Sequence, residues 1–114
     1  MPTTYTQFQP TLDQWLADRQ SGDAEKLKRY YSQRFERDAL DLDHWWPKLV
    51  QGVQGPRKAK PLEVVSVLHW NDGEETVVVT MTDPNMRDKR QAIYLRAYWQ
   101  KEADQWKLVF EGPT

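Results

Sequence analysis

The chain contains no cysteine, and this absence excludes several kinds of chemistry at once. Without a thiol there is no disulfide, no cysteine nucleophile and no cysteine-based metal site. Histidine is also scarce: only His44 and His69 occur in 114 residues, and they form no metal-binding pattern with the carboxylates. The sequence therefore predicts neither a metal site nor a cofactor.

Long apolar runs and an excess of charge of one sign are absent as well. No segment has the length and apolar character needed to cross a bilayer, so membrane insertion is not expected. The net charge of -1 argues against a general phosphate-binding surface and hence against nucleic acid as a partner. With 39% hydrophobic and 29% charged residues, the composition indicates one soluble globular domain.

Aromatic residues, by contrast, are abundant, with six tryptophans and five tyrosines. Their spacing in the first half predicts helices. A first helix follows Thr11, and Asp23 is placed to cap a second. A third helix is expected near Asp43, with Pro47 in its first turn. The apolar stripes of the first two helices are Leu12, Trp15 and Leu16, then Leu27, Tyr30, Tyr31 and Phe35.

From Leu62 onwards the period changes to two, which is typical of strands. Asn71-Asp72-Gly73 predicts a hairpin, and a longer turn is expected from Asp83. Ala103 to Gln105 separate the last two of four predicted strands. Helices followed by an antiparallel meander indicate the α+β class. The side chains expected to be largely buried are Trp15, Leu16, Leu27, Tyr31, Leu95, Trp106 and Leu108.

This order of elements resembles the nuclear-transport-factor-2-like fold, a cone-shaped α+β fold. The resemblance is carried by Ser21-Gly22-Asp23 between two helices, the Tyr30-Tyr31 pair, an aromatic third helix and the closing strands. It implies three N-terminal helices packed on a curved antiparallel sheet. The resemblance covers residues 11–112, which are expected to form a single domain, and residues 1–10 are expected to be a flexible segment.

The closing strands are similar to those of one bacterial subgroup of this fold. Ile93, Leu95, the run Trp106-Lys107-Leu108 and Glu111 resemble the accessory domain that follows the catalytic domain in L,D-transpeptidase and L,D-carboxypeptidase proteins. The resemblance implies an association with peptidoglycan and the cell envelope, and a periplasmic location for a domain excised from such a protein. A cytoplasmic location is expected otherwise. The catalytic cysteine of those enzymes lies in their other domain.

Members of the fold use the space between helices and sheet as a pocket, and the residues expected to line it here are Tyr30, Tyr31, His44 and Trp46. At a helix start, the positive end of the helix dipole disfavours a charged His44, which predicts a neutral ring. Asp41 and Asp43 are expected mainly as helix caps. No catalytic residue is assigned, although a His or Asp deep in the pocket would indicate a small hydratase, isomerase or dehydratase.

A second expected site lies on the strand that contains residues 92 to 100. Tyr94, Arg96 and Tyr98 share one face of this strand, whereas the opposite face is mainly aliphatic and should meet the helices. Arginine between aromatic rings suits a protein interface, and a homodimer is its simplest form. The sequence thus predicts a non-catalytic ligand-binding or protein-interaction module. Its expected partner is another protein or a second copy of the chain, and its expected ligand is a small molecule or a peptidoglycan fragment.

Overall fold

The computed structural model contains three helices packed on one face of a six-stranded sheet, within residues 4–37, 40–53, 62–71, 73–88 and 91–113, which the structure describes. In chain order the elements are α1 (Thr4–Ser21), α2 (Ala24–Lys28), β1 (Tyr31–Arg37), β2 (Leu40–Asp41), α3 (Leu42–Val53), β3 (Glu63–Asn71), β4 (Glu75–Asp88), β5 (Gln91–Glu102) and β6 (Gln105–Pro113).

The sheet is mixed, so the prediction of an antiparallel sheet is wrong. Its strand order is β2-β1-β6-β5-β4-β3, and the antiparallel meander from β3 to β6 agrees with the expected one. Strand β1, however, runs parallel to β6, with Tyr31 opposite Leu108. The amide N–H of Leu108 also donates to the carbonyl of Tyr30 at 2.6 Å.

The prediction of three successive N-terminal helices is also wrong, because α3 follows β1 and β2. The predicted second helix stops at Lys28, and its supposed apolar stripe from Tyr31 to Phe35 is strand β1. A spacing of four residues is about one helical turn, yet it is also an even number that keeps both side chains on one face of a strand. The periodicity alone therefore cannot distinguish a helix from a strand at Tyr31 and Phe35.

Helix α1 begins at Thr4, within the segment expected to be flexible. Phe8 is completely buried, and its ring lies 5.4 Å from that of Trp99 and 5.3 Å from that of Trp106. Pro10 lies inside the helix, where it removes one backbone donor. The burial of Phe8 on the sheet offsets that loss and extends the helix beyond the stretch that its periodicity indicates.

The short helix α2 begins as the sequence predicts. Asp23 has an extended backbone, and its Oδ1 accepts the backbone N–H of Glu25 at 3.0 Å, which is the geometry of a helix N-cap. Gly22 before it has a φ of 75°, a value that favours glycine. The tight turn between α1 and α2 is therefore encoded locally.

The strands are longer than their sequence periodicity indicates. Strands β3 and β4 pair from Asn71 opposite Glu75, as the predicted hairpin requires, although Asp72 lies outside the described residues. Strand β4 continues through the turn expected at Asp83 and ends only at Asp88. Between β5 and β6, Ala103 and Asp104 have φ values of 49° and 65°, which are typical of a type I′ turn.

The core lies between the helices and the inner face of the sheet, and Trp99 is at its centre. The ring of Trp99 makes edge-to-face contacts with Phe8, with Trp15 at 5.5 Å and with Tyr30 at 6.1 Å. Of the side chains predicted to be buried, Leu16 and Leu95 are half-buried. The others are buried as predicted: Trp15, Leu27, Tyr31, Trp106 and Leu108.

Replacing Trp106 by alanine should lower the free energy of unfolding by about 3–5 kcal/mol, because it deletes a buried indole that contacts Phe8. Chemical denaturation of wild type and variant measures this difference. Gln105→Ala is the matched control, since the neighbouring Gln105 is exposed and its loss should change stability by less than about 0.5 kcal/mol. Equal effects of the two substitutions would contradict the core described above.

Candidate functional site

Tyr30 and Tyr31, both expected in the pocket, have different surroundings. The hydroxyl of Tyr30 donates to the buried Asp18 at 2.7 Å, and Nη2 of Arg29 donates to the same carboxylate at 2.6 Å. Burial alone would raise the pKa of Asp18, but hydrogen bonds from Tyr30, Gln14 and Arg29 outweigh burial and lower that pKa. Tyr30 thus ties α1 to the end of α2, which is a structural role.

Tyr31 and Trp46 do come together. The ring of Tyr31 lies 5.7 Å from that of Trp46 and 4.8 Å from that of Phe35, in edge-to-face geometry. The tyrosine is only 4% exposed. These rings join β1 to α3 and form an aromatic wall inside the space between helices and sheet.

A group of polar side chains surrounds Tyr31 on this inner side. Oε1 of Glu111 accepts from Nη1 of Arg37 at 2.9 Å, and the guanidinium of Arg37 lies 4.4 Å from the ring centre of Trp45. The charges of Glu111, Arg37 and Arg19 all act on the Tyr31 hydroxyl. We call Arg19, Tyr31, Arg37, Trp45 and Glu111 the Tyr31 cluster.

Several polar atoms of the Tyr31 cluster are buried and lack a hydrogen-bond partner among the described residues. They are Nη1 of Arg19, the hydroxyl of Tyr31, Nε1 of Trp45 and Oε2 of Glu111. Burial and the charge of Glu111 raise the pKa of Tyr31 well above its ordinary value. The Tyr31 hydroxyl and the Glu111 carboxylate therefore interact, but their contact falls short of full hydrogen-bond geometry.

His44 lies outside this cluster, at the start of α3. Its Nδ1 is 2.6 Å from Oδ1 of Asp41, and its backbone N–H donates to the same oxygen at 3.0 Å. Asp41 is therefore the N-cap of α3. The side chains of His44 and Asp41 are 73% and 63% exposed. They border an open groove of about 570 Å³ with Gln33, Arg34, Phe35, Glu36 and Leu40.

The expectation of a neutral His44 ring needs correction. The hydrogen bond and the charge of Asp41 raise the pKa of His44, and the same contact lowers the pKa of Asp41. A carboxylate in direct contact outweighs the partial charge of the helix end. The structure thus places an exposed, protonation-prone histidine at this site, in a helix-capping pair.

The faces of β5 are arranged as expected. Ala97 and Trp99 point into the core, whereas Tyr94 and Arg96 are exposed on the outer face of the sheet. Tyr98 on the same outer face is half-buried, with its ring 5.5 Å from that of Phe110.

Glu111, a central residue of the Tyr31 cluster, was not among the predicted pocket residues. The alternation Trp106, Leu108, Phe110 would place Phe110 inside and Glu111 outside. A bulge in β6 reverses the alternation, because Tyr98 pairs with Phe110 while Trp99 pairs with Leu108. Sequence periodicity alone cannot reveal such an extra residue.

The described residues contain neither a cluster of metal ligands nor a helix that could cross a membrane. Among the described residues, no group of three or more His, Cys, Asp or Glu side chains is placed to hold a metal ion. The helices within the described part of the chain include none that is both long and apolar enough to span a bilayer.

Comparison with known proteins shows the fold. No protein-family model and no curated protein sequence matches the chain. The solved structure of Bd1075 from Bdellovibrio bacteriovorus matches 95% of the chain with a TM-score of 0.68 and 13% identity. The chain spans 39% of that protein. A designed nuclear-transport-factor-2-like protein, Rd1NTF2_05 with five substitutions, matches 98% of the chain over its own full length, with a TM-score of 0.65 and 13% identity.

These likenesses support a nuclear-transport-factor-2-like α+β fold, which is the broader part of the resemblance seen in the sequence. At 13% identity they show the fold alone. The sheet and three helices of that fold place the Tyr31 cluster on the inner face of the sheet and Tyr94 and Tyr98 of β5 on the outer face.

The protonation of His44 can be measured directly by an NMR titration of its ring. We expect a pKa above the ordinary value of 6.5, because Asp41 stabilises the charged ring. The interaction is complete below that ordinary value and is lost as the pH rises through the raised one. Asp41→Asn keeps an oxygen for the helix cap but removes the charge, so the pKa of His44 should fall.

Asp43→Asn is the matched control, since the charge of Asp43 is the weakest of the influences that raise the pKa of His44. This substitution should lower that pKa by less than Asp41→Asn does. An equal effect of both substitutions would show that general charge, rather than the contact with Asp41, determines the protonation.

Proposed function

We propose that the chain is a non-catalytic ligand-binding or protein-interaction module whose sheet pairs with a second copy of the chain. An apolar row on the outer face of the sheet carries the proposal. The row crosses four adjacent strands, because Leu68 pairs with Val78, Val78 with Tyr98 and Tyr98 with Phe110. Leu68 and Phe110, at its two ends, are 57% and 42% exposed.

Polar side chains lie on one side of this row. Nε2 of Gln100 donates to Oγ1 of Thr76 at 3.3 Å, and Arg34 donates to Gln100 at 2.9 Å. Arg34 also forms an ion pair of 2.7 Å with Glu102. These hydrogen bonds and this ion pair fix the positions of the polar side chains along one edge of the apolar row.

The other side of the row is polar as well, with Ser66, Thr80 and Arg96 in register across three strands. An apolar centre with polar margins is the usual organisation of a protein interface. Such a row can face its own copy after a twofold rotation, with apolar groups meeting apolar groups. These features favour a second copy as the occupant of the face.

The alternative of a small pocket enzyme would require a His or Asp deep between helices and sheet. His44 and Asp41 form the contact that most resembles a catalytic pair, yet both are largely exposed. Asp18 and Asp83 are buried, but the carboxylate of Asp18 is held by Tyr30 and Arg29, and Asp83 has an interaction partner as well. These placements favour the interaction module over the enzyme.

The finer proposal is that the chain acts as an accessory domain of a cell-envelope protein associated with peptidoglycan. It is supported by the resemblance of the closing strands to such domains, and by a fold match that spans 39% of a longer bacterial protein. A periplasmic location accompanies this proposal.

Self-association is tested by sedimentation velocity over a range of concentrations, where wild type should form a dimer. Leu68→Lys places a charge in the apolar row and should shift the protein to the monomer. Val65→Lys is the matched control, because Val65 is 55% exposed on the same strand but lies at a bulge outside the row. A monomeric wild type at high concentration would reject the pairing of two copies.

The envelope proposal is tested by co-sedimentation with purified peptidoglycan sacculi. We expect the chain in the pellet at low ionic strength, with an inert globular protein of similar size left in the supernatant as control. A chain that stays in the supernatant under every buffer condition would reject the peptidoglycan part of the proposal and leave the self-association proposal standing.

A further inference from the structure

The Tyr31 cluster contains more hydrogen-bonding capacity than its own members use. Tyr31 is 4% and Glu111 is 3% exposed, yet the Tyr31 hydroxyl and Oε2 of Glu111 lack a hydrogen-bond partner among the described residues. Nη1 of Arg19 and Nε1 of Trp45 are also buried, and they too lack a hydrogen-bond partner among the described residues. Buried polar groups are normally hydrogen-bonded, since each unpaired one costs about 1–3 kcal/mol. Tyr31 and Glu111 are close enough to interact with each other, so the strongest indication of a bound molecule comes from the two buried donors of Arg19 and Trp45, which no described residue satisfies.

The chemistry of these atoms indicates what that molecule carries. Arg19 and Trp45 can only donate, and the Tyr31 hydroxyl can also donate, whereas Glu111 alone can only accept. The charged groups that act on Tyr31 are two guanidinium groups and one carboxylate. Because Arg37 already pairs with Glu111, the positive charge of Arg19 is the one in excess. Excess donors and one excess positive charge together favour an anion.

Aromatic rings surround these polar groups. Trp45 and Trp46 pack against the core from α3, and the ring of Tyr31 contacts both Trp46 and Phe35. The guanidinium of Arg19 lies 5.6 Å from the ring centre of Trp15. An apolar or aromatic body would bury its surface against these rings.

We infer that the Tyr31 cluster binds a small molecule with one carboxylate on an aromatic or apolar body. The carboxylate accepts from Arg19, Trp45 and Tyr31, and the body lies against the rings of Trp45 and Trp46. This inference deepens the ligand-binding part of the proposed function. It is independent of self-association, because the cluster lies on the inner face of the sheet and the apolar row on the outer face.

Phenylacetate is a suitable probe, with phenylacetamide, 2-phenylethylamine and acetate as comparisons. Calorimetric titration of the full chain should show binding of phenylacetate. The neutral amide should bind at least about tenfold more weakly, the expected loss for one charge-assisted hydrogen bond. The amine should not bind, and acetate should bind more weakly than phenylacetate because it lacks the ring. In NMR spectra, the indole N–H of Trp45 should shift downfield as it gains an acceptor.

Arg19→Gln should weaken phenylacetate binding by about tenfold or more, because it removes the positive charge that is left over once Arg37 pairs with Glu111. Arg96→Gln is the matched control: Arg96 is exposed on the outer face, and its loss should leave the affinity unchanged. Tyr31→Phe is a second variant that retains the ring and its packing, so weaker binding by this variant would report on the hydroxyl itself.

Three results would overturn the inference. The first is an absence of binding by all four probes at millimolar concentration, which would indicate that ordered water alone satisfies the cluster. The second is preferential binding of the amine, which would make Glu111 the dominant charge. The third is an equal loss of affinity in Arg19→Gln and Arg96→Gln. This inference and the self-association proposal can fail separately. A protein that dimerises but does not bind phenylacetate would reject only this inference, whereas a monomer that binds phenylacetate would reject only self-association.

Discussion

The placement of the helices depends on the contacts that the buried ring of Trp99 makes. Phe8 and Trp15 of α1 and Tyr30 after α2 all make edge-to-face contacts with this one indole. Edge-to-face contacts are directional, so they determine how α1 crosses the sheet and not merely that it packs there. Two consecutive residues of α1 then serve different purposes: Asp18 pairs with Tyr30 and Arg29, and Arg19 enters the Tyr31 cluster.

The parts of the fold that could be predicted from the sequence are those that local chemistry determines. The Asp23 cap, the turn at Gly22 and the hairpin near Gly73 each follow from residues close in the chain. Strand β1 could not be recognised, because the spacing of Tyr31 and Phe35 suits a helix and a strand equally. Its parallel pairing with β6 joins residues far apart in sequence, and no local pattern records such a pairing.

The candidate sites likewise include one part that a local sequence pattern predicts and one part that it does not. The faces of β5 follow from strict alternation, so the exposure of Tyr94 and Arg96 could be predicted. The Tyr31 cluster depends on the bulge in β6, which turns Phe110 outward and Glu111 inward. Because of this bulge, Phe110 forms one end of the outer apolar row and Glu111 becomes the acidic residue of the Tyr31 cluster. A single backbone irregularity thus couples the chemistry of the two faces of the sheet.

The position of β6 in the sheet has a consequence for the order of folding. It is the last strand of the sheet in chain order, yet it lies in the interior of the sheet between β1 and β5. During synthesis, α1, α2 and β1 leave the ribosome long before the strand that covers their apolar surface. Closing so long a loop slows folding and leaves intermediates with exposed aromatic surface. The interval between the synthesis of β1 and that of β6 therefore sets how long this surface stays uncovered.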